Sequence, residues 1–275
     1  MNDNIFEQML SAYPLSNPIQ RSNAEYEVSQ KIILAGLYRA GFFNKAAFYG
    51  GTCLRIFHNL NRFSEDLDFS LLKADTDFNI ENYFPSIIEE FKLLGREIVI
   101  TKQDKRMFGR VESAFLKDTT EVYNIAFQTK KTVKVKIEVD TQPPLKFDTE
   151  PKLLLQPYSF VTRCFTLPNL YAGKMHALVY RAWKTRVKGR DWFDFEWYVR
   201  HNVPLDFAHL QERIREFSGN TVTQELFMDL LKEKLATTDI ELVKKDVVPY
   251  ISDPHILDIW SNDYFLLLAD NIRFV

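Results

Sequence analysis

Two carboxylates, Asp66 and Asp68, lie two residues apart in an otherwise apolar segment. The segment predicts a β-strand over about residues 67–72, and residues two apart on a strand project from the same face of a sheet. Two carboxylates on one face could share an oxygen-seeking divalent ion, Mg²⁺ or Mn²⁺. The pair is therefore the first candidate metal site in the chain.

A turn with anion-binding character precedes this pair. It consists of Gly50, Gly51 and Thr52, and Asp66 follows fourteen residues after Thr52. Glycines have no β-carbon, so backbone amides here can turn sharply and approach a phosphate. Thr52 is placed to cap a short helix predicted over about residues 53–59, and a helix N-terminus favours anions. Each pattern alone is also typical of an ordinary turn or strand end. Together they are what phosphoryl or nucleotidyl transfer needs.

A third carboxylate is available on another predicted strand, VKVKIEV, over residues 133–139. Strict alternation puts its apolar residues on one face and Lys136 and Glu138 on the other, with Asp140 following. Nucleotidyl transfer with two metal ions commonly uses a third carboxylate from a neighbouring strand. Glu138 is preferred over Asp140 because it lies in mid-strand; a solvated strand face is the alternative.

The densest positive charge follows a predicted helix over residues 172–183 that carries Lys174. Five basic residues and no acid occur in ten positions, namely Arg181, Lys184, Arg186, Lys188 and Arg190. Because the whole chain has a net charge of −2, contact with a polynucleotide would depend on such a local patch. A solvated turn between two helices, neutralised by Asp191 and Asp194, is the alternative.

The run GGTCLR followed by RFSEDLDFS resembles the signature of the AbiEii/AbiGii toxin family, nucleotidyltransferases with a DNA polymerase β-like core. Lys174 followed by Arg190-Asp191-x-x-Asp194 resembles the downstream motif of that family. The resemblance covers roughly residues 48–198. It implies a toxin of a toxin–antitoxin pair linked to abortive infection, with a cognate antitoxin encoded alongside it.

The resemblance also implies a reaction: Mg²⁺-dependent transfer of a nucleotide from an NTP to an RNA acceptor. Some members modify the 3′ end of tRNA, and the basic patch would then contact RNA in a salt-sensitive way. A protein-directed nucleotidyl- or phosphotransferase is one alternative. A non-catalytic nucleotide- or RNA-binding module is another, although an intact pair of like charges argues against it.

The resemblance carries over roles for single residues. Asp66 and Asp68, with Glu138, would hold the metal, the Gly50–Thr52 turn would hold phosphate oxygens, and Lys174 would contact the β- or γ-phosphate. Asp191 and Asp194 both remain candidates for the functional aspartate, with Asp191 favoured because it follows Arg190. Ser64 matches a serine that some relatives phosphorylate on themselves, and capping of the bend before the strand is its alternative role.

The elements needed to position these residues predict an α/β (α+β) protein. We expect a polymerase β-like nucleotidyltransferase domain with a mixed sheet at residues 1–150, followed by a mostly helical domain at residues 151–275. Strands are predicted over residues 97–102, 111–116, 122–128 and 133–139 as a largely antiparallel meander. A capping box of Ser22 and Glu25 predicts the start of an early helix that ends at Gly41.

Composition is that of a soluble globular protein, with 46% hydrophobic and 26% charged residues. The two cysteines, Cys53 and Cys164, lie in apolar contexts without metal-ligand spacing, which predicts reduced buried thiols. The N-terminus lacks a signal-peptide pattern, and no apolar stretch is long enough for a membrane span. These features predict a cytoplasmic protein with no membrane partner.

Overall fold

The computed structural model describes residues 5–102, 120–127, 134–181 and 187–275. The α-helices are α1 (Ile5–Leu10), α2 (Pro18–Arg39), α3 (Gly50–His58), α4 (Phe84–Leu93), α5 (Leu167–Tyr180), α6 (Gly189–Arg200), α7 (Phe207–Ser218), α8 (Gln224–Thr237), α9 (Ile240–Val247) and α10 (Asn262–Ala269). The strands are β1 (Ala46–Tyr49), β2 (Asp66–Leu71), β3 (Ile98–Lys102), β4 (Thr120–Phe127), β5 (Lys134–Asp140), β6 (Thr149–Leu154) and β7 (Phe160–Phe165). Short 3₁₀ helices include Phe42–Asn44 and Ile80–Tyr83.

The strands form one seven-stranded sheet in the order β3-β4-β5-β2-β1-β7-β6. The pairs β1–β2, β3–β4 and β4–β5 are antiparallel, whereas β1–β7 and β2–β5 are parallel. The sheet is therefore mixed, as predicted, and β3, β4 and β5 form the predicted antiparallel meander. The strand predicted over residues 111–116 lies outside the described residues.

Contacts divide the chain into two compact units. The sheet unit comprises Met1–Cys53, Phe63–Pro143 and Thr149–Cys164. The helical unit comprises Leu54–Arg62, Pro144–Asp148 and Phe165–Val275. The predicted domains, residues 1–150 and 151–275, stay a prediction, because contact density defines compact units and not independently folding domains.

Alternating burial on β2 and β5 sets the core of the sheet unit. Leu67 and Phe69 are buried on β2, and Ile137 and Val139 are buried opposite them on β5. Phe69 also packs against the ring of Phe42, with a centroid separation of 5.0 Å. Side chains that alternate with these residues lie on the other face, so the pattern leaves the acidic residues of both strands on one side of the sheet.

The early helix begins earlier than the sequence pattern predicts. Helix α2 begins at Pro18, and the side chain of Asn17 accepts a hydrogen bond of 2.9 Å from the Gln20 N–H. The predicted start at Ser22 is therefore wrong. Asn is a strong N-cap residue and proline favours the first helical position, so Asn17 and Pro18 together outweigh the capping box.

From Leu167 onward the described residues of the helical unit lie mainly in helices, as predicted. Gly189 is the first residue of α6. Its N–H donates to Asp246 Oδ2 at 2.8 Å, and a β-carbon there would lie 2.1 Å from the Val243 carbonyl oxygen. The glycine is needed for close approach to α9 and not for a turn. Among the helices described, none is long and apolar enough to cross a bilayer.

Candidate functional site

The turn at Gly50 is built directly against a carboxylate. Gly50 follows the last residue of β1 and opens α3 with φ = +80°, a conformation that residues with a β-carbon rarely adopt. A β-carbon on Gly50 would lie 2.1 Å from Asp68 Oδ2. In β1–β2 pairing, Asp68 stands opposite Tyr49, the residue before this turn. Glycine at position 50 is thus required both by the backbone and by the Asp68 side chain.

Thr52 connects the turn to the strand that carries the carboxylates. It is fully buried, and its Oγ1 donates a hydrogen bond to the Asp66 backbone carbonyl. The hydroxyl predicted to bind phosphate is therefore engaged inside the protein. In this arrangement Thr52 holds the start of α3 against the start of β2, and phosphate contact at Gly50 and Gly51 stays a prediction.

The loop before β2 is fixed from helix α2. The side-chain amide of Gln30, which is 1% exposed, donates to the carbonyls of Ser64 and Glu65 at 2.9 and 3.1 Å. A buried amide with two backbone acceptors restricts the residues immediately before Asp66. Ser64 is half-buried in this loop, and its predicted autophosphorylation or nucleotide contact stays a prediction.

The predicted third carboxylate lies beside the first two. Parallel pairing of β2 and β5 puts Asp66 opposite Lys136 and Asp68 opposite Glu138. Residues directly opposite each other share a face of the sheet, and these four half-buried side chains alternate with buried apolar ones. The structure therefore brings Asp66, Asp68 and Glu138 onto one face of two adjacent strands.

A lysine compensates part of this negative charge. The Lys136 ammonium forms an ion pair with Glu138. Burial lowers the pKa of Lys136, but the carboxylates of Glu138, Asp66 and Asp68 together outweigh burial, so the pKa is raised above its ordinary value. Lys136 is consequently a stable cation on the acidic face.

The donor set fits a hard divalent cation. All three carboxylates supply oxygen, the ligand that Mg²⁺ and Mn²⁺ prefer. Within the described ranges, no three His, Cys, Asp or Glu side chains are already arranged around a common point for an ion. Mg²⁺ usually takes one or two carboxylates and completes its coordination with water and substrate phosphates. Asp66 and Asp68 fit that role, whereas Glu138 is held by Lys136.

The helical unit contains a cluster of ion pairs around Lys174. The Lys174 ammonium lies 2.8 Å from Asp191 Oδ1 and 2.8 Å from Asp194 Oδ2. Arg181 binds the other Asp191 oxygen at 3.1 Å. Arg62 binds both oxygens of Asp194, at 2.6 Å each. We call Arg62, Lys174, Arg181, Asp191 and Asp194 the lysine cluster.

Both aspartates of the lysine cluster are ionised. Burial raises the pKa of Asp191, but Lys174, Arg181 and Lys188 outweigh it and the pKa lies well below its ordinary value. Burial likewise raises the pKa of Asp194, and Arg62 and Lys174 outweigh it. Both carboxylates contact Lys174, and the preference for Asp191 over Asp194 as the functional aspartate stays a prediction.

Helix α6 carries both aspartates on one face because they are three residues apart. Its first turn is fixed by the Gly189–Asp246 hydrogen bond, and its far end by Glu196, which accepts hydrogen bonds from Trp260 Nε1 at 2.8 Å and Tyr264 at 2.6 Å. The C-terminal helices, for which the sequence predicts no role, therefore hold the helix that positions Asp191 and Asp194.

The predicted RNA-binding residues have varied environments. Arg181 is paired with Asp191, and Arg190 is 8% exposed with its guanidinium 4.1 Å from the centroid of the Tyr250 ring. Lys188 is half-buried and contributes positive charge to Asp191. Lys184 and Arg186 lie outside the described residues. Contact with RNA stays a prediction, and Arg181 and Arg190 have internal partners.

Arg62 is the site residue that sequence reasoning did not assign. It lies within the run Arg62-Phe63-Ser64 that carries the family resemblance, yet its side chain is 2% exposed and its partner Asp194 is 132 residues away. The signal that could have found it was an arginine inside the motif that also contains Ser64, Asp66 and Asp68.

Comparison with known proteins bears on the family and the fold of the chain. The model of a family described as nucleotidyl transferase AbiEii toxin, type IV TA system, matches residues 32–266. In structure, the chain is similar to the MenT4 nucleotidyltransferase toxin of Mycobacterium tuberculosis H37Rv, with a TM-score of 0.58 and 15% identity over 99% of this chain and 87% of that one. It is also similar to JHP933 of Helicobacter pylori, with a TM-score of 0.50 and 19% identity over 90% and 88% of the two chains.

No curated protein sequence matches the chain. At 15% and 19% identity the two solved structures support the fold alone, and the first is a nucleotidyltransferase toxin by name. The predicted α+β fold class and the family resemblance are confirmed. Because the family match covers most of its length, this chain belongs to the AbiEii nucleotidyl transferase toxin family of type IV toxin–antitoxin systems.

Proposed function

We propose that this protein is a Mg²⁺-dependent nucleotidyltransferase that transfers a nucleotide from an NTP to an RNA acceptor, with the 3′ end of tRNA as the acceptor. The observation that carries the proposal is the acidic face of β2 and β5, where Asp68 lies against Gly50 and beside Glu138. Family membership supports the reaction class. The choice of acceptor rests on the family resemblance and on the basic sequence from Arg181 to Arg190.

Asp66 and Asp68 would hold the metal, Mg²⁺ or Mn²⁺. When bound, such an ion neutralises triphosphate charge and lowers the pKa of an attacking hydroxyl. The protein's contribution is to fix both carboxylates before substrate arrives: the Gly50 turn restricts Asp68, and the Thr52 hydroxyl restricts the backbone of Asp66. Preorganised charge of this kind costs no rearrangement during the reaction.

The lysine cluster would bind the β- and γ-phosphates. In the transfer, the acceptor hydroxyl loses its proton to water and its oxygen forms a bond to the α-phosphorus. The bond from that phosphorus to the bridging oxygen breaks, and pyrophosphate leaves with the bonding electrons. Negative charge grows on the pyrophosphate as the bond breaks. Lys174 presents an ammonium fixed by two carboxylates and 14% exposed, which suits it to stabilise that charge.

A labelling experiment tests the proposal. The protein is incubated with Mg²⁺, each radiolabelled NTP in turn and total tRNA, beside the variants Asp68→Asn and Asp77→Asn. Asp77 is exposed and follows β2, so its variant removes the same charge outside the site. We expect label on tRNA, lost by at least roughly 100-fold in Asp68→Asn, since outer-shell changes alone cost about 10–100-fold.

The acceptor is decided by where the label appears. Label on protein, equally sensitive to Asp68→Asn, would replace the RNA acceptor with a protein one. Absence of label on any acceptor from protein that binds NTP would refute transfer and favour a binding module. Equal loss in Asp77→Asn would show that the effect comes from net charge and not from the acidic face.

A further inference from the structure

The lysine cluster contains more positive than negative charge. Arg62, Lys174 and Arg181 supply three cations, while Asp191 and Asp194 supply two carboxylates, both ionised. The five side chains together carry a net charge of +1. An anion near Lys174 would therefore encounter a single uncompensated positive charge, fixed in place by short ion pairs.

That surplus depends on Arg62. Asp194 has no exposed surface and both of its oxygens bind the Arg62 guanidinium, an arrangement that compensates the carboxylate with one cation. Lys174 also lies 2.8 Å from Asp194. Without the guanidinium, Lys174 would be the main counter-ion of Asp194 as well as of Asp191, and the cluster would be electrically neutral.

We propose that Arg62 is a positioning residue for phosphate binding: by neutralising Asp194, it leaves the charge of Lys174 available to the terminal phosphates of the nucleotide. The inference rests on the proposed function in assigning Lys174 to those phosphates. It assigns Arg62 no contact with the substrate. Arginine suits this task because its planar fork binds both oxygens of one carboxylate, which a lysine cannot do.

Charge balance can be separated from mere structural support by a series of four proteins. Wild type has a net cluster charge of +1, Arg62→Gln has 0, Asp194→Asn has +2, and the double variant Arg62→Gln/Asp194→Asn returns to +1. In the double variant an uncharged Gln and Asn, which can still donate and accept hydrogen bonds, replace the ion pair. Arg215→Gln is the control, since Arg215 is 57% exposed and pairs only with nearby Glu212 among the contacts described.

The probe is inorganic tripolyphosphate, with affinity measured by calorimetry at constant ionic strength and folding checked by circular dichroism. A unit charge in a partly buried site changes affinity for an anion by on the order of tenfold. We expect Arg62→Gln to weaken binding by about that factor, Asp194→Asn to strengthen it, and the double variant to remain within about threefold of wild type. Arg215→Gln should bind as wild type does.

Opposite effects of the two single variants are the decisive result, because a purely structural pair would weaken binding whichever partner is changed. Weakening in Asp194→Asn, or equal weakening in Arg62→Gln and the double variant, would overturn the inference. If Arg62→Gln does not fold, Asp194→Asn and the double variant still test it. Failure of wild type to bind tripolyphosphate would overturn it as well.

This binding readout is separate from the labelling experiment. Tripolyphosphate binding that follows cluster charge in a protein that transfers no nucleotide would refute the proposed function and leave the role of Arg62 standing. Nucleotide transfer by wild type, with no effect of cluster charge on tripolyphosphate binding, would refute the role of Arg62 and leave the proposed function standing.

Discussion

Replacement of Gly50 by alanine tests whether the turn is built around the Asp68 carboxylate. The variant has two separate consequences in the structure. First, the backbone at φ = +80° becomes strained for any residue with a β-carbon, which costs roughly 1–2 kcal/mol. Second, the new β-carbon would lie 2.1 Å from Asp68 Oδ2, so the carboxylate must retreat by about 1 Å to reach a permitted contact.

The clash with Asp68 should have a small effect on stability and a larger one on metal binding. The clash involves the end of a side chain, so rotation of Asp68 relieves most of it, and we expect an additional loss of only about 1 kcal/mol in unfolding free energy. The carboxylate is then displaced from the place where it would bind the ion. A ligand displaced by about 1 Å should weaken metal binding by roughly tenfold or more.

Gly95→Ala supplies the matched control. Gly95 has φ = +68°, and a β-carbon added there would meet no atom of the described residues within 4 Å, so this variant has the backbone strain without the clash. Mn²⁺ affinity is measured by electron paramagnetic resonance and unfolding free energy by urea titration. We expect both variants to lose stability and Gly50→Ala alone to lose Mn²⁺ affinity. Equal Mn²⁺ affinity in the two variants would refute the reasoning.

Two further predictions concern single buried groups. Thr52→Val should lower the unfolding free energy by about 1–2 kcal/mol, because the hydrogen bond to the Asp66 carbonyl is lost. Thr162→Val should be nearly neutral, because the buried Thr162 hydroxyl has no hydrogen-bond partner among the described residues. Equal urea midpoints for the two variants would contradict this. Burial and the charge of Arg213 lower the pKa of His209 from 6.5 to about 3. Below pH 6.5 the unfolded chain therefore binds a proton at His209 that the folded protein does not. The unfolding free energy should fall with pH in this range, by up to about 1.4 kcal/mol per pH unit. Urea titrations between pH 7.5 and 4.5 should show a shallower dependence in His209→Leu, and parallel curves would count against the assignment.

Local sequence patterns were sufficient for the elements that carry the candidate site. Alternation on β2 and β5 predicted which residues share a face, and the glycine pair predicted a sharp turn after β1. The helix begins at Gly50, however, so Thr52 lies inside α3 and the prediction that it caps a helix over residues 53–59 is wrong. The pattern could not predict that Asp68 stands opposite Glu138, because parallel pairing of strands far apart in the chain depends on the whole sheet. Glu138, favoured over Asp140 for its mid-strand position, stands opposite Asp68, whereas Asp140 stands opposite Ser70; its role as a metal ligand stays a prediction.

Residues whose roles depend on distant partners were predicted less well. Arg62 and Asp194 are 132 residues apart, and no local pattern indicates that a bidentate ion pair joins them. The need for glycine at position 189 depends on α9, which approaches its backbone closely. Arg190 counted as surface charge in the sequence, whereas in the structure its guanidinium packs on Tyr250. Composition counts charges but does not show which are compensated internally.

The two clusters use the same electrostatic arrangement with opposite sign. On the acidic face, Lys136 neutralises Glu138, and the four side chains of those two register pairs retain a charge of −2 on Asp66 and Asp68. In the lysine cluster, Arg62 neutralises Asp194 and a charge of +1 remains. In each case an ion pair holds a charged side chain, Lys136 in the first cluster and Asp194 in the second. That side chain would otherwise pair with Asp66 and Asp68, or with Lys174. The acidic face thus keeps a net negative charge and the lysine cluster a net positive charge, as the proposed binding of a divalent cation and of phosphate requires.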